Sequence, residues 1–540
     1  MRKKLLLLFL SVLSLSAVAQ DTEFWFAPPV LYSGTYQGHG GFVFSNPTHR
    51  QAVVNIKYYR DGSDTIITIP AYSYNFMFYS SATDITNKLD VATTVAGNPN
   101  FSAAVHITSN VGITGYYIYD WSAQQETFML KGSASAGTQF TMTTGYQTGT
   151  YVSGGSGQYG YVYGLPYVGI TGTEDGTTVD FTIPSACTGY AAGSHTVTLD
   201  KGRVLYLISN TGKMAGTTIT SDKPVTVTGG ETCRNSMGSA GSGGACDQCG
   251  DQIVSDAFAG NTYVMPLSAG FNSASDNYSR MNNYFELIAL EPNTNVQIDW
   301  GSGLTPLTTL ANAGDIYISD TFKVTRPNSC ATIIADKPVH IMQNTGHEAT
   351  LCHLPNFYGT NTHQTSFYSY HEAAFNIYPA ASLVYLEASK DDYTISYPGQ
   401  TETPLFDWIT ANARWVDGQG DVPQFPGWKY IRFTLPNAAI NQIITVKSLT
   451  SVFQLGFTSS FNYGTYLNYL TAFNSEFSFD PDTVWTCPGI YTNLIGGIAS
   501  YYKWIFPDGT IKEGASMNSV KAVQMGMYIL EMTQGFNTIT

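Results

Sequence analysis

Five histidines, His340, His347, His353, His363 and His371, share one stretch of the chain with Glu348 and Glu372. Such a concentration of titratable groups is where metal or acid–base chemistry is sought first. A helix-borne zinc site needs a second His one turn after a His-Glu pair, and neither His347-Glu348 nor His371-Glu372 has one. The sequence also lacks a Gly-x-Ser-x-Gly elbow and a phosphate-cradling glycine loop. Paired carboxylates for glycosidic cleavage are set by distance in space, so a secreted carbohydrate-active hydrolase stands as the alternative to a protein without catalysis.

The seven cysteines are Cys187, Cys233, Cys246, Cys249, Cys330, Cys352 and Cys487. Met1 to Gln20 carries Arg2, Lys3 and Lys4, an apolar run from Leu5 to Leu15 and a small-residue end at Ala17-Val18-Ala19, which reads as a signal peptide over 1–19. In an exported chain the default for cysteine is a disulfide. Cys233 and Cys246 flank the Gly/Ser-rich run from Ser236 to Gly244, Cys330 and Cys352 form a second candidate pair, and Cys187 with Cys249 a third, with the connectivity open. Cys233, Cys246 and Cys249 as a zinc set lack the second half of a ribbon pattern. Cys246-Asp247-Gln248-Cys249 also lacks the strand-to-helix setting of a redox thiol. The expectation is no metal and no cofactor.

Contact chemistry is better represented. Tyr146, Tyr151, Tyr159, Tyr161 and Tyr163 sit in a Tyr/Gly-rich connection, and Tyr presents a large amphipathic face at low rotamer cost, suited to a sugar or protein surface. Tyr116-Tyr117-Ile118-Tyr119-Asp120-Trp121 is a second aromatic concentration, but a period-two strand must bury one face, so core is the preferred reading there. Aromatics reach 14% of 540 residues against 12% charged, with 52 Gly, a balance that suits sheets joined by turns. The net charge of −14 and the absence of a basic cluster argue against nucleic acid, and no stretch beyond the leader is long and apolar enough to span a bilayer.

The elements that must hold these residues recur. Ile107-Thr108-Ser109-Asn110-Val111, Ile219-Thr220-Ser221-Asp222-Lys223-Pro224 and Ile333-Ile334-Ala335-Asp336-Lys337-Pro338 return at near-constant spacing, with a weaker copy at Ile444-Thr445-Val446-Lys447-Ser448. Each reads as a strand–turn–strand hairpin closing a unit, with Asp222 and Asp336 as turn residues and the proline opening the next strand. Upstream, Glu174-Asp175-Gly176 and Glu291-Pro292-Asn293 lead into alternating strands, and Gly202 and Gly314 each precede a further strand. The units lie at about 22–121, 137–232, 260–346 and 365–473 within a 20–475 domain.

The Asp222-Lys223-Pro224 phrase, followed by Gly230, Cys233, Cys246-Asp247 and later Tyr263-Val264-Met265-Pro266, resembles the N-terminal domain family of IgG Fc-binding protein over approximately Phe24 to Phe473. The resemblance implies an exported, repeat-built protein of Bacteroidetes type. Residues 476–540, with Trp485, Trp504, Asp508-Gly509 and Gly526-Met527-Tyr528, resemble a PKD-like, immunoglobulin-type module, here partial, and the strand-like Asn537 to Thr540 suggests continuation beyond it.

The expected architecture is all-β: four diverged units, closed as a propeller-like ring in preference to a row of β-sandwiches, because closure hides strand edges. The expected role is an exported cell-surface or extracellular binding or adhesion protein that recognises a glycan or glycoprotein without chemistry. A structural part of a cell-surface assembly is a further alternative.

Overall fold

Three long strands, Val105–Trp121, Thr218–Asn235 and Cys330–Gly346, organise the chain, and each contains one copy of the recurring phrase. The structure, a computed structural model, describes residues 21–30, 39–79, 88–89, 91, 93–121, 124–144, 165–209, 213–235, 246–267, 271–272, 282–319, 322–323, 329–346, 351–359, 362–371, 377–448, 450–461, 464–470, 492–495, 501–514, 517, 519–524, 526–534 and 537–539. Within them the phrase is not a hairpin: the chain runs straight through Asp222-Lys223-Pro224 and Asp336-Lys337-Pro338 as one continuous spine strand. The reason lies in the ladder. Against the first strand of its unit, each spine slips register at the phrase, between Thr108 and Ile113, between Thr220 and Val225, and between Ile334 and Val339. A proline without an N–H fits such a bulge, which bends the strand without ending it.

Before the bulge the second spine pairs with Thr177–Ile183, and after it with Pro166–Gly172 and Cys246–Ile253. Gly193–Leu199 and Val204–Ile208 extend the two sides, giving the order Gly193–Leu199, Thr177–Ile183, spine, Pro166–Gly172, Val204–Ile208. The first and third sheets repeat this order around their own spines, with Asp64–Ile69, Ala52–Tyr58, His39–Asn46 and Ser73–Tyr79 in the first. In the third they are Thr305–Leu310, Thr294–Asp299, Asn282–Ala289 and Ile316–Ile318. The two sides enclose one core, in which Phe24, Phe42, Ile56, Ile107 and Tyr117 meet in the first unit.

The polar residue of each phrase latches the bulge. Asn110, Asp222 and Asp336 each accept a backbone N–H, from Val53 at 2.7 Å, Thr178 at 2.8 Å and Asn295 at 2.8 Å, always the second residue of the neighbouring strand. Lys223 and Lys337 bind carbonyls of the preceding turn, Asp175 and Pro292. Gly202 and Gly314 occupy the same turn in their units with φ of +81° and +82°, the left-handed region where a Cβ is penalised.

The fourth unit keeps the plan with its spine cut in two, Ile443–Ser448 and Gln454–Phe461, so that one sheet becomes a four-stranded and a five-stranded sheet. Between its strands lies an α-helix, Leu405–Asn412, which buries Leu405, Trp408 and Ile409. Near the end of the chain, Tyr501–Ile505 and Ile511–Gly514 form a hairpin whose turn is closed by Asp508-Gly509, with Gly509 at φ +82°. Trp504 is buried there and donates Nε1–H to the Met517 carbonyl at 2.7 Å.

Each unit also packs on its neighbours. Trp25, Ala27 and Val30 of the first meet Tyr167, Val204 and Tyr206 of the second. Cys249 of the second lies against Tyr284, Met342 and Leu351 of the third. Val264 and Cys330 of the third meet Val384, Trp428 and Tyr430 of the fourth. Val43, Tyr116, Ile118 and Met129 of the first are buried with Phe367, Leu383 and Phe457 of the fourth. The aromatic run at Tyr116 is thus core on both faces, Tyr117 and Tyr119 inside their own unit, Tyr116 and Ile118 in the seam with the fourth.

Candidate binding site

Where the first and fourth units meet, aromatic side chains collect at the surface. Tyr74 and Phe76 come from Ser73–Tyr79, whose Met77 and Tyr79 pack against the first core. Tyr368 ends the strand Gln364–Tyr368, which is fixed to the first unit by the Thr114 hydroxyl donating to the Ser366 carbonyl (2.9 Å) and the Tyr116 hydroxyl donating to the Tyr368 carbonyl (3.0 Å). Tyr74 and Tyr368 stand with ring centroids 4.3 Å apart, and Phe76 stacks on Tyr370 at 5.7 Å and 21°. Phe76 is 37% and the adjacent turn residue Tyr72 60% exposed, so these rings keep free surface although their neighbours are anchored. Burial, followed by the hydrogen bond and charge of Tyr74, raises the Tyr368 hydroxyl well above the usual phenol range. It therefore remains a neutral hydrogen-bonding group.

The surface continues through His371. Its ring stacks on Tyr378 at 5.6 Å and 27°, and its backbone is clamped by Asn441, which accepts from the His371 N–H (2.9 Å) and donates to its carbonyl (3.0 Å). The Arg414 guanidinium lies 3.7 Å from the Tyr378 centroid and 4.8 Å from that of Trp415. Asn437 accepts from Arg414 at 3.3 Å. Tyr378 and Ile377 pair with Phe271–Asn272 of the third unit, so three units contribute to this region. Cation–π stacking fixes the Arg414 plane while leaving donors for a ligand.

Partly exposed rings fixed in place by stacking offer apolar contact at low entropy cost, and Tyr, Trp and Arg are the types that dominate binding hot spots. Exposed aromatic area of this kind suits the C–H side of a pyranose ring or an apolar protein side chain. These residues come from separate strands and two main units, which is why sequence spacing did not unite them. One signal was present: Ser73–Tyr79 carries aromatics on both faces, although one face suffices for a core.

Of the residues singled out in the sequence, His371 lies on this surface. Tyr146, Tyr151, Tyr159, Tyr161 and Tyr163 lie outside the described residues, as do His347, Glu348, Glu372 and Cys487. The remaining histidines disperse. His340 and His353 sit in the interior with ring centroids 5.5 Å apart, and His340 Nε2 contacts Asp256 Oδ1 at 3.1 Å. His371 is on the aromatic surface. Among the described residues no three His, Cys, Asp or Glu side chains are placed to share a metal ion.

Two expected disulfides are corrected. Cys187, Cys249, Cys330 and Cys352 are not disulfide-bonded. Cys330 opens the third spine opposite Pro266, whereas Cys352 lies opposite Gln343 near the far end of the same strand, too far for a bridge. Cys249 is buried against the third unit, while Cys187 packs at the rim of the second core. Burial pushes the Cys187 thiol up to about 11 and raises Cys330 and Cys352 as well, so all three remain protonated. For Cys233 and Cys246 the backbone alone is described: both lie in the hairpin of Thr218–Asn235 with Cys246–Ile253, and Cys246 is opposite Asn235.

A family model described as IgGFc binding protein matches residues 125–447. No curated protein matches the chain.

Proposed function

The chain belongs to the IgGFc binding protein family, and on that premise we propose that it is an exported binding protein that engages a glycan or glycoprotein outside the cell through the aromatic surface of Phe76, Tyr370, His371, Tyr378 and Trp415 with Arg414. The observation that carries this reading is the Phe76–Tyr370 stack, whose members keep exposed area although a sheet seam anchors them. A bacterial secreted member of the family fits the leader over 1–19, a four-unit region over 20–475 and a PKD-like module over 476–540, the last supported by buried Trp504 and the Asp508-Gly509 turn. Among the described residues no helix is long and apolar enough to cross a membrane.

Ring closure of the four units is part of the proposal. It is supported by the sequence of seams, first to second, second to third, third to fourth and fourth to first. Tyr146, Tyr151, Tyr159, Tyr161 and Tyr163, in the Tyr/Gly-rich connection of the second unit, would add a second contact surface. A Cys233–Cys246 bridge would tie the neighbouring hairpin.

The test is a glycan and glycoprotein array, with IgG Fc among the ligands because the family description names it, run beside a hydrolysis assay on the same sugars. Retention without turnover is expected. In the Phe76→Ala/Trp415→Ala double variant affinity is expected to fall by about tenfold or more, the scale of two hot-spot side chains. Undiminished binding by that variant would remove the surface from the proposal. Turnover abolished by changing one carboxylate would replace binding with hydrolysis.

A further inference from the structure

Lys131 and Asp251 face each other in the interior with Nζ to Oδ1 at 2.5 Å and each side chain only 2% exposed. Lys131 follows the last strand of the first unit, Gln124–Met129, and Asp251 lies in the last strand of the second, Cys246–Ile253. The pair therefore bridges two consecutive units through residues far apart in sequence. Its surroundings are closed. Glu126 is fully buried and accepts from the Gly250 N–H at 3.4 Å, and the buried Cys352 thiol is within electrostatic reach of Asp251, Lys131 and Glu126 together.

An ordinary ion pair so deeply buried carries a desolvation cost that mutual attraction only partly offsets. Burial is the largest influence on both partners: it lowers Lys131 and raises Asp251 against their attraction for each other. Both shifts run towards the neutral forms, an amine and a carboxylic acid, and the 2.5 Å contact sets this nucleophile against this acyl group. The acyl group is also polarised. Oδ1 accepts from the Gln252 N–H at 2.8 Å and Oδ2 from the His353 N–H at 3.0 Å, donors fixed by the strands that carry them. The Lys131 backbone is held too, its N–H donating to Gln252 Oε1 at 2.8 Å, so both partners are positioned at contact distance.

We propose that Lys131 and Asp251 form an intramolecular isopeptide bond that covalently joins the first unit to the second. The amine lone pair attacks Asp251 Cγ, and the C–N bond forms as the Cγ–Oδ1 bond breaks. Two protons, one from the amine and one from the carboxylic acid, leave with Oδ1 as water. Oδ2 remains as the amide oxygen, facing the His353 N–H. No oxidant, metal or second substrate enters the balance. The product replaces two buried ionisable groups with a neutral amide and fixes the seam against pulling, which suits a protein that holds a ligand outside the cell.

The test is mass spectrometry of the full chain, folded, then reduced and denatured. The expected intact mass is one water below that of the linear sequence with the same termini. Trypsin is expected to leave Lys131 uncut and to release a branched peptide that joins the segment of Lys131 to that of Asp251. Asp251→Ala is expected to restore both the mass and the cleavage. Because the unsubstituted chain decides the matter, poor folding of that variant does not cloud the result. A full linear mass with a peptide ending at Lys131 means that the pair is only an ion pair, and the proposal is overturned.

Discussion

His353 shows how a single side chain couples the interior to pH. It is buried at the seam of the second and third units, where its Nε2 faces the Val254 N–H at 3.5 Å. Burial, the largest cause, pushes its imidazole well below the usual value. His106 is lowered also, by burial first and against the attraction of Glu23. In the unfolded chain both take a proton near pH 6.5, whereas in the folded chain they resist it. The unfolded state therefore binds more protons as the pH falls through that value, and stability drops with it. Each unit of depression is worth about 1.4 kcal/mol. Urea midpoints are expected to decline from pH 7 to pH 5, and His353→Gln, which keeps an acceptor, is expected to flatten that decline. An identical slope in the variant would sink this assignment of the acid sensitivity.

At the scale of elements, the same turn in two settings separates backbone conformation from packing. Gly314 has φ +82° with only the Gly216 backbone beside its missing Cβ, at 3.6 Å or more. Gly202 has φ +81°, but a Cβ there would lie 1.9 Å from the Tyr59 ring of the first unit. Gly314→Ala is expected to cost about 1 kcal/mol, the penalty of left-handed backbone for an L-residue. Gly202→Ala should cost about 2–3 kcal/mol, because overpacking adds to it. Equal shifts in denaturant midpoint would contradict the difference read from Tyr59. The recurrence of this glycine was legible in the sequence, as were the alternating strands Thr177–Ile183 and Thr294–Asp299. The fate of the recurring phrase was not. Asp-Lys-Pro has the composition of a turn, and only the partner strands decide between a turn and a bulge. The aromatic surface was hidden for a related reason: Phe76 and Tyr370 are brought together by a seam, and no local pattern encodes a seam.

For the whole molecule, the decisive contact is the one between the units farthest apart in sequence. In a row of units the first would touch only the second, and its outer face would be polar. Here Val43, Tyr116, Ile118 and Met129 of the first unit are buried with Leu383, Phe433 and Phe457 of the fourth, and Ile118 is 1% exposed. Burying a side chain of that size contributes about 1.5–3 kcal/mol, and a carboxylate buried without a partner in its place adds a desolvation cost to that loss. Ile118→Asp is therefore expected to weaken the seam from the side of the first unit. Because Phe367, Leu383 and Ile444 share that packed region, the loss should appear in a segment more than 200 residues away in the numbering. Native-state hydrogen exchange reads this directly: amides of Gln364–Tyr368, Ala380–Leu386 and Ile443–Ser448 are expected to lose protection along with those of the first spine. The third unit provides the internal comparison, since Asn282–Ala289 lies outside that seam and should change least. If exchange rose in the first unit while the fourth kept its protection, the two would not be cooperatively joined, and closure of the four units would lose its main support.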